Sequence, residues 1–294
     1  MKRSIRKNKI TGFSIFNATW MILFAFLCLL PMMIMISASF STDRALQDYG
    51  FTLFPKEFSL DAYKIVFQDF TSLLRAYGVS IVVTLSGTIL SLVLTALIAY
   101  PLSKDDFAFK KPITGIILFT QLFSAGLVPT YIMITQYLGW RDNLLALIIP
   151  GLSGPFYIIV MRTFFKDIPK ELHESAKIDG CTEMGIFTKI ILPLSKPVLA
   201  TCAVLFSLNY WNDWYSSFLY IENREVWTVQ YLMIKLANEA QAWKTNASLA
   251  VGGMESADSI VMATCLIGTI PILIVFMFLQ KYIVKGMTVG AVKG

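Results

Sequence analysis

Between Val198 and Tyr220 an otherwise apolar run carries Asn209, Asn212, Asp213, Ser216 and Tyr220 at three- and four-residue steps. On a helix that spacing gathers amide, carboxylate and hydroxyl groups on one face. Trp211, Trp214 and Tyr215 flank them. Hydrogen-bonding groups beside aromatic rings suit a sugar, whose C–H faces stack on rings while its hydroxyls find polar partners. The same residues also fit an aromatic belt at a membrane surface, with the asparagines joining helices. Gln121, Ser124 and Tyr131 lie near one face of another apolar run. The candidate solute-contacting set is therefore Asn209, Trp211, Asn212, Asp213 and Tyr215, with Gln121 and Tyr131.

Other chemistries lack their residues. No Gly-x-x-x-x-Gly-Lys-Ser/Thr loop occurs to cradle phosphates, so ATP hydrolysis is not expected of this chain. His173 is the one histidine and has no Cys or His at metal-ligand spacing. Cys28, Cys202 and Cys265 fall within apolar runs and Cys181 in a polar segment, and they read as small buried side chains. Asp213 alone is too little for an acid-base centre. The expectation is a chain with no catalytic residue, metal or bound cofactor.

The elements that position these groups follow from composition. Of 294 residues 56% are hydrophobic and 15% charged, and the mean hydropathy is +0.64, which places the chain in a bilayer. A span takes about 20 apolar residues. Six runs qualify: Phe13 to Ser37, Tyr77 to Pro101, Ile113 to Tyr137, Leu144 to Met161, Val198 to Tyr220 and Ile260 to Leu279. The expected fold is a single all-α membrane domain over residues 1–294. Gly126 with Pro129 interrupts the third run, and Pro150, Gly151, Gly154 and Pro155 break the fourth. Such breaks survive only where protein or water satisfies the freed backbone, so both face the interior. Thr84, Thr88, Ser91 and Thr95 form a small-residue stripe suited to helix packing.

Most of the 25 basic residues flank the runs on the side shared with the N-terminus, from Lys2 and Arg3 through Lys104, Lys110 and Arg162 to Lys285. Lys and Arg are retained in the cytoplasm, so both termini are expected there. The first run is longer than the apolar core of a secretory signal and reads as an uncleaved span. The net charge of +6 forms no continuous stripe, which excludes nucleic acid as a partner.

Residues 162–197 are then a long cytoplasmic loop. Pro169, Glu171, Leu172, Glu174, Ala176 and Lys177 read as a proline-initiated helix with acids in its first turn. Gly180 ends it. A second helix runs from about Thr182 to Leu192, with Met184, Phe187, Ile190 and Ile191 at helical steps, and Pro193 and Pro197 stop it. The product is a rigid helix-turn-helix knob.

Glu174-Ser175-Ala176-Lys177-Ile178-Asp179-Gly180-Cys181, followed by Phe187, Ile190, Leu192, Pro193 and Pro197, resembles the Glu-Ala-Ala loop of ABC importer permeases, with small-for-small departures at Ser175 and Cys181. Phe123 to Tyr131, Leu208 to Trp214 and the ending Tyr282 to Gly294 resemble carbohydrate permeases of the oligosaccharide group. The likeness is greatest to the second permease of importers for complex plant-polysaccharide fragments. Tyr157 stands where an asparagine is expected in that subgroup, which leaves the sugar open. The resemblance implies a type I importer permease with a cytoplasmic coupling loop that docks through 171–197 on an ATPase. Glu174, Ser175, Ala176, Asp179, Gly180, Phe187, Leu192 and Pro193 are the coupling residues it marks. It further implies a second permease subunit, two cytoplasmic ATPase subunits using ATP and Mg, and an extracytoplasmic sugar-binding protein. The alternatives are a permease of the same type for a non-sugar solute, and an ion-coupled secondary transporter.

Overall fold

The structure is a computed structural model that describes residues 12–245 and 258–291. Among the described residues it is helical, the one strand-like pairing being a bridge between Ser41 and Phe58. In chain order the helices are α1 (Gly12–Ser39), α2 (Asp43–Tyr49), α3 (Asp61–Val66), α4 (Phe70–Ser103), α5 (Lys110–Leu122), α6 (Leu127–Ile132), α7 (Leu144–Ile148) and α8 (Pro155–Lys166). They continue with α9 (Lys170–Ile178), α10 (Glu183–Ile186), α11 (Leu192–Leu194), α12 (Lys196–Asn212), α13 (Tyr215–Tyr220), α14 (Val229–Thr245) and α15 (Asp258–Ala291). Two compact units divide them, residues 1–68 with 236–267 and residues 69–235 with 268–294.

In the first unit α1 is apolar on every side and almost wholly exposed, burying only Ser37, Ala38 and Ser39 near its end. A helix with apolar side chains all round is stable where lipid takes the place of a core. The rest of the unit is fastened by Asp43, whose carboxylate accepts from the Ser259 backbone N–H at 2.9 Å and from its hydroxyl at 2.6 Å, closing the start of α15. Ala62, Val66, Ala240, Ile260 and Ala263 form its apolar centre.

The second unit is built on α4, which packs chiefly on α12 and α8. Asp69 caps α4 by accepting from Ser72 N–H at 3.1 Å, so the helix begins well before the apolar run at Tyr77. At 34 residues it is about 50 Å long by helical rise and overshoots a hydrocarbon core of about 30 Å. Its small-residue stripe is a packing face. Ser91 and Thr95 are buried, and a Cβ on Gly87 would lie 2.6 Å from the Tyr210 ring. Tyr210 is the keystone. Its hydroxyl donates to the Ile148 carbonyl at 3.0 Å and shares a 3.1 Å hydrogen bond with Ser91 Oγ, joining α4, α7 and α12.

Helix ends depart from the hydropathy boundaries for a physical reason: helices do not stop where lipid does. α8 continues past Met161 to Lys166, taking in Arg162 and Lys166 from the segment read as loop. Pro193 does not end the elbow helix either. A π turn over Phe187–Ile191 precedes it, Pro193 falls early in α11 where its missing N–H is tolerated, and the chain turns only at buried Ser195. The run from Glu183 to Leu194 meets α12 at 79°. The ending from Tyr282 to Gly294 continues as α15 backbone to Ala291, with 292–294 outside the described residues.

Candidate functional site: a cleft at a broken helix and a projecting elbow

The fifth run is two helices. α12 stops at Asn212, Asp213 is extended (φ −78°, ψ 91°), and its Oδ1 accepts the Ser216 N–H at 3.0 Å to start α13. An Asn-Asp pair opening a capped turn is the local signal for that break. Irregular backbone at such a place is tolerated where it lines a cavity. An open cleft of about 620 Å³ lies there, bordered by Asn209, Asn212, Asp213, Trp214 and Tyr215. Pro150 and Gly151 border it from the α7–α8 break, where the chain bends by 48°. Trp214 and Tyr215 meet edge to face at 5.6 Å, offering aromatic surface at the rim.

Four of the seven sequence candidates, Asn209, Asn212, Asp213 and Tyr215, thus share the cleft. Asn209 Nδ2 donates to the Tyr157 hydroxyl at 2.8 Å, so Tyr157 orients the amide. Trp211 does not line it. It is 7% exposed, its ring tilts over Tyr77 at 6.3 Å, and its Nε1–H is committed to the Gly268 carbonyl at 3.3 Å. One residue beyond Tyr210 on a helix, it turns about 100° away from the face its neighbours present. Tyr131 stacks on Tyr220 at 6.1 Å, and Gln121 is exposed on α5 just before the 111° bend between α5 and α6, so neither joins the cleft. Trp214 belongs with the four and was only a flanking residue by spacing. Tyr210 carried no signal of its own, since a tyrosine in an apolar run reads as ordinary membrane-interface sequence, and Tyr157 stood out only as a departure from an expected asparagine.

The elbow is at the opposite end of α12. α9 closes with Gly180 in the left-handed region (φ +77°): Cys181 N–H donates to the Ala176 carbonyl at 2.9 Å and Gly180 N–H to that of Lys177 at 3.0 Å. These two bonds satisfy the last carbonyls of α9 in the manner only a residue free of Cβ strain makes cheap. Thr182 Oγ1 then accepts the Gly185 N–H at 3.1 Å and starts α10. The base of the elbow is buried through Ala176, Ile186, Phe187 and Ile191, with the Phe187 ring 4.9 Å from Tyr100. Its tip is the reverse: Ile178 is 86% and Met184 59% exposed, an apolar tip set among charges.

The marked coupling residues therefore divide. Ala176 and Phe187 hold the base and Leu192 packs partly against the same core. Gly180 shapes the turn, and Glu174, Ser175, Asp179 and Pro193 are exposed. A shallow groove of about 430 Å³ runs past Ser175, Asp179, Cys181 and Pro193. Sequence reasoning missed Glu183. Burial alone would raise its carboxyl, but hydrogen bonds from Lys104, Tyr100 and Lys177 prevail and hold it at about 2. Asp105 is likewise held at about 2, by hydrogen bonds from Lys170 and Lys110.

Broken helices around a polar cleft, and an apolar-tipped elbow on a rigid base, define a multi-pass membrane component of a transport machine rather than an enzyme. The chain belongs to the family of binding-protein-dependent transport system inner membrane components, whose model matches residues 10–289. It is 41% identical to Protein LplC of Bacillus subtilis (strain 168) over 90% of each chain. It is 38% identical to the polygalacturonan/rhamnogalacturonan transport system permease protein YtcP of the same organism, over 98% of this chain and all of that one. A chain in the crystal structure of a bacterial ABC transporter involved in import of the acidic polysaccharide alginate superposes with a TM-score of 0.77 at 29% identity, covering 96% of this chain and 99% of that one. The type I ABC permease fold is thereby established, and the ion-coupled alternative is set aside.

Proposed function

We propose that this subunit forms half of the pathway of a bacterial ATP-driven oligosaccharide importer, with a second permease subunit supplying the other half. Both termini and the elbow lie in the cytoplasm, as the distribution of Lys and Arg supports. Two cytoplasmic ATPase subunits use ATP and Mg, one of them gripping this chain's elbow over 171–197, and this chain binds no cofactor itself. An extracytoplasmic sugar-binding protein delivers the solute. ATP-driven closure of the ATPases swings the elbow, α12 carries that motion to the cleft, and hydrolysis resets it. Asn209, Asn212 and Asp213 take sugar hydroxyls while Trp214 and Tyr215 offer ring faces. The sugar relatives favour a saccharide over another solute.

The observation that carries this reading is the elbow: an exposed apolar tip on a buried base, continuous through Ser195 with the helix that ends at the cleft. The test is oligosaccharide-stimulated ATP hydrolysis by the purified assembly with its binding protein. Rhamnogalacturonan or galacturonan fragments are expected to stimulate it, and Asn212→Ala to weaken that response. Stimulation by amino acids or phosphate instead, or an unaltered sugar profile in the variant, refutes the saccharide pathway.

A further inference from the structure

Two carboxylates outside the marked coupling motif tie the elbow to the end of α4. Glu183, in the first turn of α10, accepts from the Tyr100 hydroxyl of α4 at 2.9 Å, from Lys104 just beyond α4, and from Lys177 of α9 at 3.2 Å. His173 Nε2 stands 3.6 Å away. Asp105 accepts from Lys170 of α9 at 2.6 Å and from Lys110 of α5 at 3.1 Å, and Lys110 also donates to the Lys104 carbonyl at 2.8 Å. Lys104 further sits over the Tyr100 ring at 4.5 Å.

These bonds add little to stability, because most of the groups are half-exposed and exposed ion pairs are nearly neutral in net free energy. Apolar packing of Phe187 on Tyr100 joins the base of the elbow to α4, but the charged side beside it is open. Open clefts of about 280 Å³ and 450 Å³ flank Tyr100 and Lys104, the first bordered by Asp105, Lys170 and Lys177, the second by Phe107 and Met184. On that open side the elbow is joined to its neighbours by the charged bridges and not by apolar contact. Two bridged points on different sides of the gap stop rotation as well as separation.

We infer that Glu183 and Asp105 are positioning residues that fasten the elbow to the end of α4 and the 104–110 loop, so that all three move as one body when the elbow is displaced. At neutral pH both groups are carboxylates, since their cationic and hydroxyl partners hold them low. The inference rests on the reading that an ATPase grips the elbow. It adds a second route for the stroke, through α4 rather than α12 alone.

The assembled transporter in proteoliposomes, supplied with rhamnogalacturonan fragments, separates the possibilities. Glu183→Gln combined with Asp105→Asn is expected to leave insertion, ATPase co-purification and ATP turnover near normal, while sugar imported per ATP falls about fivefold or more, the low end of couplings between distant sites. Glu183→Asp should recover most of the loss. Unchanged sugar per ATP overturns the inference, and so does loss of ATPase co-purification, which would assign Glu183 to docking. If the neutral pair does not insert, Lys104→Cys with Glu183→Cys in a Cys181→Ala background decides. Joining the two thiols with a short bifunctional reagent should restore uptake per ATP, and abolition of uptake would show that the two elements must part. Failure of the gripping reading looks different: no ATPase co-purifies with the unaltered chain.

Discussion

The two ends of α4 are both held by charge, in different ways. At its start, Asp142 adopts φ 56° and takes the backbone N–H groups of Glu222 and Asn223 on Oδ1 at 2.6 and 2.7 Å, while its own N–H donates to the Tyr220 carbonyl at 3.0 Å. Arg141 pairs with Glu222, Arg224 with Asp69 at 2.8 Å and Arg75 with Glu225 at 2.7 Å. Each ion pair joins only two side chains, and the backbone itself is clamped. At the other end two carboxylates are each shared by cations from two different elements. A fault in the first arrangement stays local and costs stability. A fault in the second releases several elements together and costs transmission.

The change expected to do most damage removes the rod between the ends. Gly87→Val places carbon where the Tyr210 ring lies 2.6 Å away, so α4 and α12 cannot close. Overpacking of this kind costs about 1–3 kcal/mol or more, and here the obstructing atoms belong to the keystone ring. No monodisperse subunit should be recovered from membranes, and a normal yield would mean that the α4–α12 contact does not organise the unit. Next comes Gly180→Val, which forces a β-branched side chain into the left-handed region at about 1–2 kcal/mol and opens the turn. Insertion should persist and uptake vanish. Normal uptake would remove the elbow from the mechanism.

Those two glycines also show what can be read from a chain before its structure. Gly180 was legible because its neighbours announce it: an acid-rich helix start, a stop, and a second periodic stretch. Gly87 was not, because its requirement comes from a ring 123 positions away in the chain, and long-range contact leaves no local pattern. The six runs were visible because a bilayer demands about 20 apolar residues in sequence. Their ends were not, since helix capping and lipid depth are set by different forces. Half of the cleft followed from one-face spacing on α12, but that spacing assumes an unbroken helix. The break at Asp213 sends Tyr220 to pack on Tyr131, and Trp211 lies off the shared face. Glu183 stayed hidden because its partners come from three separate elements.

Asp142→Ala sharpens the contrast between the ends. It leaves the N–H groups of Glu222 and Asn223 without their acceptor, and replaces a residue that tolerates positive φ with one that does not. Removing a hydrogen-bond partner costs about 1–3 kcal/mol where water cannot replace it, and less at this exposed loop. Thermal unfolding of the purified assembly should therefore shift down modestly while sugar per ATP is preserved. A drop in sugar per ATP without a change in stability would reverse the assignment of roles.

Acidification should have the smallest effect. The Glu183 and Asp105 carboxyls are both depressed to about 2 in the folded chain, against ordinary values near 4. A group whose folded value is depressed contributes fully above its unfolded value and loses that contribution as pH falls through the folded one. The fastening of the elbow is then complete above about pH 4 and fades only toward pH 2. Sugar imported per ATP should be flat between pH 5 and 8. A decline between pH 5 and 7 that disappears in Glu183→Gln would mean that the fastening fails well above the range in which its carboxylates take up protons.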